Sequence, residues 1–484
     1  METYRNLDLQ FIDGGWRNGK GSKQVESINP YTQETYATFQ AASLDDIDEA
    51  YQSAKEHQPA WSDMNPFERN GIMRKAAEIM ERRKDELIDI LVKESGSTII
   101  KAEQEVELSI SIVRLATNFP FAMETTVNQS MVPGKTNYLI RKPLGVVGVI
   151  GPFNYPMYLA MRSVAPALAT GNSVVLKPSS STPVSGGTVL GKIFEEAGVP
   201  KGVMHVLTPK TSEIGDAFYE HPIPKMISFT GSTEVGTHIG EIAGKNVKNT
   251  ILELGGNNAF VVLDDADIEK AARGAVFGRF LHSGQICMSV NRIIVEESVM
   301  EEFCEKFVEL AKTIKVGDPE KKDTLVGPLI SHSAIERLQK EIKQAKEEGA
   351  EMLLEGKVDG NVMGPTILKG TNDMTTAKNE MFGPVVTVIP VKDDEEALKV
   401  ANDTEAGLSG ALHTTDKERA FKFAQKWETG MVHINDQSVN DEPYIAFGGE
   451  KMSGLGRFGR EHSLDEFTTY QWISDQVKPR DYPF

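Results

Sequence analysis

Apolar and polar positions alternate differently in successive parts of the chain, and the changes mark its organisation. Residues 8–40 carry short strand-like runs separated by the turn signals Asp13-Gly14-Gly15 and Asn29-Pro30. The pattern then turns helical, with Ser43 as an N-cap and Asp45-Asp46 as acidic first-turn residues. Apolar positions at helical spacing predict helices over 45–57, 66–94 and about 99–117. In the middle one, Ile72, Ala76, Ile79 and Met80 are followed by Leu87, Ile90 and Leu91. These are packing helices. Residues 124–142 are polar, contain Gly134 and read as an exposed strand-like ribbon available for subunit contact.

From Pro143 the texture changes again. A near-continuous apolar run opens GVVGVIGPFNYP, the mark of a strand buried on both faces. A helix over 156–169 follows, then a strand at 174–176 ending in Lys177-Pro178, and a helix over about 183–197. A strand near 203–207, a helix near 212–220 and a strand over 226–230 running into Gly231 continue the alternation. This pattern predicts a doubly wound parallel sheet. Ligands bind such sheets beyond the carboxyl ends of the strands, where Asn154, Lys177 and Gly231 all lie. A second alternating region begins near 259. It has strands expected at 259–263, 292–296, 366–368 and 385–391 and helices at 266–281, 298–314, 332–348 and 416–427. It reads as a second α/β domain. Phe467–Ile473 is strand-like and a polar tail follows.

Composition narrows the class of function. A chain of 484 residues is too long for one ordinary core, so two or three domains are expected. The formal net charge of −18 argues against nucleic acid or an anionic membrane as a main partner. Cys287 and Cys304 are the only cysteines, which is no disulfide framework and points to a reducing compartment. The first residues show no basic region followed by an apolar run, and no stretch approaches the ~18 apolar residues of a membrane span. A cytoplasmic protein is expected.

Several residues carry candidate chemistry. Cys287 lies between apolar Ile286 and Met288, just before the strand-like Ile293-Ile294-Val295. A thiolate is a strong soft nucleophile, although a lone cysteine is more often a buried structural residue. Ser228–Gly236 reads as a strand end, a glycine turn and a helix start, whose free amides suit a phosphate. Its G-x-x-x-x-G spacing is not the usual dinucleotide fingerprint, and an ordinary strand-to-helix turn looks the same. Lys177 ends a buried strand, as a phosphate or ribose ligand or as a solvated strand-end cation. Asn154 sits in a Pro-rich turn, as an oxyanion donor or as plain turn chemistry. Glu253, between leucines and before Gly255-Gly256, is expected to be desolvated, with its pKa raised toward that of a general base. A buried structural ion pair is the alternative. Glu380, in a loop entering the strand at 385–391, is a ribose-hydroxyl acceptor or an exposed loop residue.

Together and in this order, GPFNYP, VVLKPS, FTGSTEVG, LELGGNN, SGQICMSVNR, EMFGPV and FGGEKMSGLGR resemble the NAD(P)-dependent aldehyde dehydrogenase superfamily, from about residue 10 to about 472. The resemblance implies an α/β fold with a Rossmann-type cofactor domain over 1–123 and 143–253. It implies a catalytic domain over 254–465 and oligomerisation segments at 124–142 and 466–484. It implies Cys287 as nucleophile, Glu253 as general base and Asn154 with the Cys287 amide as oxyanion hole. Lys177 and Glu380 would hold a ribose, and Gly231, Ser232 and Gly236 the pyrophosphate. Phe382 would pack near the nicotinamide, and Ile150, Pro152, Phe153, Ser180 and Leu254 would complete the cofactor cleft. The implied cofactor is NAD or NADP, with no metal, and the implied assembly a homodimer or homotetramer.

Two departures refine this expectation. Many NAD-preferring members carry Glu three residues after the lysine, where this chain has Ser180, so NADP should be tolerated beside NAD. Many members have Trp-Lys where this chain has Arg162-Ser163. That helix, with NDQSVNDEPYIAFGG at 435–449, resembles the aromatic branch of the family, the benzaldehyde and vanillin dehydrogenases. Tyr155, Tyr158, Arg162, Ile286, Met288 and Phe447 would then line a flat apolar tunnel suited to an aryl ring. A semialdehyde dehydrogenase is the rival within enzymes. It needs a cation for the distal carboxylate, and Arg162 is the one obvious candidate. A non-catalytic protein on the same scaffold is the rival outside them.

Overall fold

The computed structural model of the chain describes residues 3–484. An eight-stranded sheet runs in the order Gly15–Arg17, Gln10–Ile12, Met204–Val206, Ser173–Lys177, Val146–Ile150, Met226–Thr230, Asn249–Glu253, Gly454–Leu455. The five strands from Met204–Val206 to Asn249–Glu253 are parallel. The chain starts at Val146–Ile150, winds outward through two strands, then returns to the other side at Met226–Thr230. That reversal opens a crevice beyond the carboxyl ends of these two strands. Every residue of Val146–Ile150 is buried, which is why its apolar run shows no alternation.

A seven-stranded sheet runs in the order Glu351–Leu354, Thr366–Lys369, Val385–Val391, Val290–Glu296, Asn258–Val262, Ser409–His413, Met431–Ile434. Only its first strand pairs antiparallel. The chain passes from one sheet to the other through Leu254-Gly255-Gly256-Asn257, between Asn249–Glu253 and Asn258–Val262. Gly454–Leu455 returns late in the chain to pair with Asn249–Glu253 at the edge of the first sheet.

Thr125–Gln129, Lys135–Pro143 and Thr468–Gln476 form a separate three-stranded antiparallel sheet, paired from Pro143↔Thr468 to Lys135↔Gln476. Among the described residues no helix is long and apolar enough to cross a membrane.

Several elements differ from the periodicity reading. The span 66–94 is two helices, Pro66–Arg82 and Lys84–Ser95, because Arg83 leaves helical geometry while its guanidinium bonds Glu86 and Glu196. The helix expected at 183–197 opens with a wide turn, Val184–Thr188, before Val189–Ala197. The one near 212–220 is two short turns, Thr211–Ile214 and Ala217–Glu220. Asn249–Glu253, Asp394–Asn402, Ser409–His413 and Met431–Ile434 had no separate signal. They are short, and their apolar faces are set by neighbours rather than by period.

Two buried glutamates join the early helices to the first sheet. Glu94 accepts from the amide of Val184 (2.9 Å) and the hydroxyls of Ser27 (3.0 Å) and Ser185 (2.6 Å). Glu105, ion-paired with buried Lys101, accepts from the amides of Met157 (2.9 Å) and Tyr158 (3.1 Å). The second thus caps Pro156–Ala169, a helix buried along its whole length. Replacing Glu94 with Ala orphans several buried donors at once. The expected cost is about 3 kcal/mol, read as a lower urea midpoint. An unchanged midpoint would show that these donors find other partners.

Candidate active site

The site forms where the two sheets meet. Ile268–Phe280 ends one residue short of the expected 281 and gives way to a left-handed turn, with His282, Ser283 and Gly284 at φ of 50°, 56° and 72°. Such geometry is costly for His and Ser and persists only when the surroundings enforce it. Here the turn directs Gln285–Ser289 across the carboxyl edge of the first sheet. Three side chains then pin this loop. Asn154 Nδ2 donates to the Gln285 carbonyl (3.0 Å). Asn258 Nδ2 donates to the carbonyls of Cys287 (2.7 Å) and Ser289 (2.9 Å). Ser438 Oγ donates to the Met288 carbonyl (2.6 Å). The inter-sheet crossing also lies against the loop: a Cβ on Gly256 would overlap the Cys287 carbonyl.

Cys287 lies at the junction of two cavities. One is lined by Tyr155, Tyr158, Ile286, Met288, Val439 and Phe447, with Gln104, Leu108, Glu253 and Asp441. The other lies over the switch point of the first sheet. It is lined by Ile150, Pro152, Phe153, Lys177, Ser180, Gly231, Ser232, Leu254, Glu380 and Phe382, with Ser179 and Arg337. Asn154, Leu159, Thr230 and Cys287 line both. The first is a largely aromatic and aliphatic tunnel. The second is a polar-edged cleft.

The electrostatics follow from burial. Both carboxyl oxygens of Glu253 are buried without a hydrogen-bond partner. Dehydration pushes its pKa up to about 8, against the opposing pull of Arg162 and Arg457. Burial, with the Glu380 and Glu253 carboxylates, pushes the Cys287 thiol up to about 12. Glu380 accepts from the Gly256 amide (3.0 Å) and is raised by burial to about 7. Among the described residues Lys177 has no side-chain hydrogen bond or ion pair, and burial lowers its pKa to about 8. An unpartnered cation and a mostly unpartnered carboxylate facing one cleft are free to take a polyhydroxylated anionic ligand. Ser232 caps Thr233–Lys245, so that helix presents its first amides to the same cleft.

Asn154 has two amide hydrogens. One is spent on Gln285 and the other is free, so the side chain is both fixed and able to donate. Its own carbonyl accepts from Lys101 Nζ (2.6 Å), tying the turn to the buried Lys101–Glu105 pair. Phe382, held at φ 43°, packs edge-on against Phe153 with centroids 5.7 Å apart.

Two expected site residues lie elsewhere. Gly236 is buried inside Thr233–Lys245 and does not line the cleft. A Cβ there would collide with Leu254, so its role is to let the helix close on the sheet. Arg162 does not line the tunnel. Its guanidinium is ion-paired with Asp441 and lies over the Phe447 ring, 4.0 Å from the centroid. Asn258, Ser438 and Asp441 were not singled out. All three sit in motifs already visible, Asn258 in LELGGNN and Ser438 and Asp441 in NDQSVNDEPY, but nothing local marks their long-range contacts.

Known proteins resemble this chain over its whole length. Residues 16–473 match the aldehyde dehydrogenase family model. The chain is 49% identical over 485 residues to benzaldehyde dehydrogenase YfmT of Bacillus subtilis, covering 100% of both. It is 47% identical to a vanillin dehydrogenase of Corynebacterium glutamicum, over 97% of this chain and 98% of that one. The crystal structure of an NAD-dependent benzaldehyde dehydrogenase from Corynebacterium glutamicum superposes with a TM-score of 0.91 at 43% identity, covering 100% of each chain.

Proposed function

The chain belongs to the aldehyde dehydrogenase family and is an NAD(P)-dependent aldehyde dehydrogenase, and from that premise we propose that it oxidises aromatic aldehydes to their acids. The observation that carries this reading is the aromatic and aliphatic tunnel that reaches Cys287 where it meets the cofactor cleft. The names of the two relatives support it. A semialdehyde needs a free cation for its far carboxylate. Arg162 is ion-paired with Asp441, and among the described residues no cation lines the tunnel.

In this proposal the Cys287 sulfur attacks the aldehyde carbon to form a thiohemiacetal. The free amide hydrogen of Asn154 and the Cys287 main-chain N–H stabilise the oxyanion, where losing one donor typically costs about 100–1,000-fold in rate. The bound dinucleotide supplies the hydride acceptor, and a thioester remains on Cys287. Glu253 then takes a proton from the attacking water, and the acid leaves as the thiol is released. Lys177 and Glu380 hold a ribose, Gly231 and Ser232 the diphosphate, and the tunnel walls keep bulk water from the thioester.

Residues 1–123 and 143–253 serve as the cofactor-binding unit, 254–465 as the catalytic unit, and 124–142 with 466–484 as the oligomerisation segments. The last assignment rests on apolar side chains left open on the three-stranded sheet. Val127 is 64%, Trp472 68% and Ile473 44% exposed, apolar surface of the kind that marks a protein–protein contact. A homodimer or homotetramer follows, and Trp472→Glu should shift it toward monomer by sedimentation velocity; an unshifted profile would remove the ribbon as the interface. Both cysteines are free thiols, in keeping with a cytoplasmic setting.

A proton on Glu253 blocks its action as base. Hydrolysis of the acyl-Cys287 should therefore rise with pH through about 8 and lose that dependence in Glu253→Gln. This variant should release a burst of about one equivalent of reduced cofactor and then stall, as expected for blocked deacylation. Unchanged steady-state turnover would remove Glu253 as the base.

The substrate reading is tested by kcat/KM for benzaldehyde, vanillin, succinic semialdehyde and a short aliphatic aldehyde with both cofactors. The aryl aldehydes should lead by about 100-fold. Ser180 is exposed and uncharged, so NAD and NADP should differ by about tenfold or less. A preference of ~1,000-fold for NAD would count against a neutral Ser180 as the discriminator.

A further inference from the structure

The far end of the tunnel is not apolar. Asp441 and Phe447 line both the tunnel and an outer hollow whose walls include exposed Glu442 and Ile445. Cys287 and Asn154 are shared instead with the cofactor cleft. The tunnel therefore runs from Asp441 and Phe447 inward to Cys287. An aryl aldehyde with its carbonyl at Cys287 directs the opposite side of its ring toward Asp441.

Asp441 is held there by buried partners. Its Oδ2 pairs with Arg162 and accepts from the Tyr158 hydroxyl (3.0 Å), which in turn accepts from Arg162 Nη2 (2.8 Å). Arg162 is clamped over the rings of Phe447 and Tyr158, with its Cζ 4.0 and 4.7 Å from their centroids. The Asp441 side chain is 7% exposed. Its second oxygen, Oδ1, is buried and has no hydrogen-bond partner, and neither has the buried Nη1 of Arg162. A buried carboxylate oxygen left without a donor is costly, and a ligand donor that completes it gains a charge-assisted hydrogen bond. An apolar tunnel for an unsubstituted ring has no use for such an acceptor.

We propose that Asp441 accepts a hydrogen bond from a hydroxyl on the substrate ring remote from the aldehyde, so that the preferred substrates are phenolic aldehydes. This rests on the aromatic-aldehyde reading and adds the ring substituent to it. Arg162 and Tyr158 act as positioning residues: both hold Asp441 by its Oδ2, leaving Oδ1 for the ligand. The phenol binds neutral, since a phenolate would face the carboxylate.

The test compares kcat/KM for 4-hydroxy-, 3-hydroxy- and 4-methoxybenzaldehyde with benzaldehyde. The 4-methoxy compound donates electrons to the ring much as the 4-hydroxy compound does but has no O–H. The wild-type enzyme should therefore prefer at least one hydroxy compound over 4-methoxybenzaldehyde by about 10–100-fold. The double variant Arg162→Met, Asp441→Leu removes the acceptor without stranding a buried charge. In it that ratio should fall to about 1. Asp441→Asn, close to isosteric, should give an intermediate ratio. A wild-type ratio near 1 overturns the proposal, as does a high ratio that survives loss of Asp441. The wild-type ratio decides even where a variant fails to fold. Failure of every aryl aldehyde, with aliphatic aldehydes turned over well, would remove the aromatic reading itself. Loss of the hydroxyl preference alone would leave that reading standing.

Discussion

Everything at this site depends on how closely the inter-sheet crossing approaches the loop that carries Cys287. Gly256 leaves no side chain between the crossing and that loop, and Asn258 immediately bonds the Cys287 and Ser289 carbonyls. A left-handed turn at His282–Gly284 brings the loop in from the other side. Asn154 ties it to the first sheet through Gln285. One loop is thus fixed to both sheets, which is why the tunnel and the cleft share walls at Cys287 rather than lying side by side.

Dehydration at this junction has two opposed effects. It raises Glu253 to about 8, within reach of a base near neutral pH, and it raises Cys287 to about 12, away from the thiolate. The neighbouring carboxylates Glu380 and Glu253 add to the second effect, and Arg162 works against both shifts. Arg162 can do so only because Asp441 and the rings of Tyr158 and Phe447 hold it in place. The buried Lys101–Glu105 pair plays a comparable part on the opposite wall, bracing the Asn154 turn and the start of Pro156–Ala169.

Much of the frame was legible from local pattern. Pro156–Ala169, Met226–Thr230 and Val385–Val391 have the expected bounds, because apolar period and flanking Gly or Pro both mark them. The split at Arg83 was not legible, since neither Gly nor Pro stands there and the cause is an ion-pair partner at Glu196. Gly236 shows how a motif can mislead: it belongs to a glycine-bearing turn by sequence and to a helix–sheet contact by geometry.

The sequence by itself determined the alternating strands and helices and the family, and it put forward Cys287, Glu253 and Asn154 as the candidate reactive groups. These follow from residue types in short, ordered segments. Only the tertiary structure decided that Arg162 is spent on Asp441, that one Asn154 hydrogen is committed to Gln285, and that Asp441 keeps an unpaired oxygen at the tunnel's outer end. Each of these depends on the distance between groups far apart in the chain. Such distances are set by the packing of two sheets against each other, and no local period encodes them.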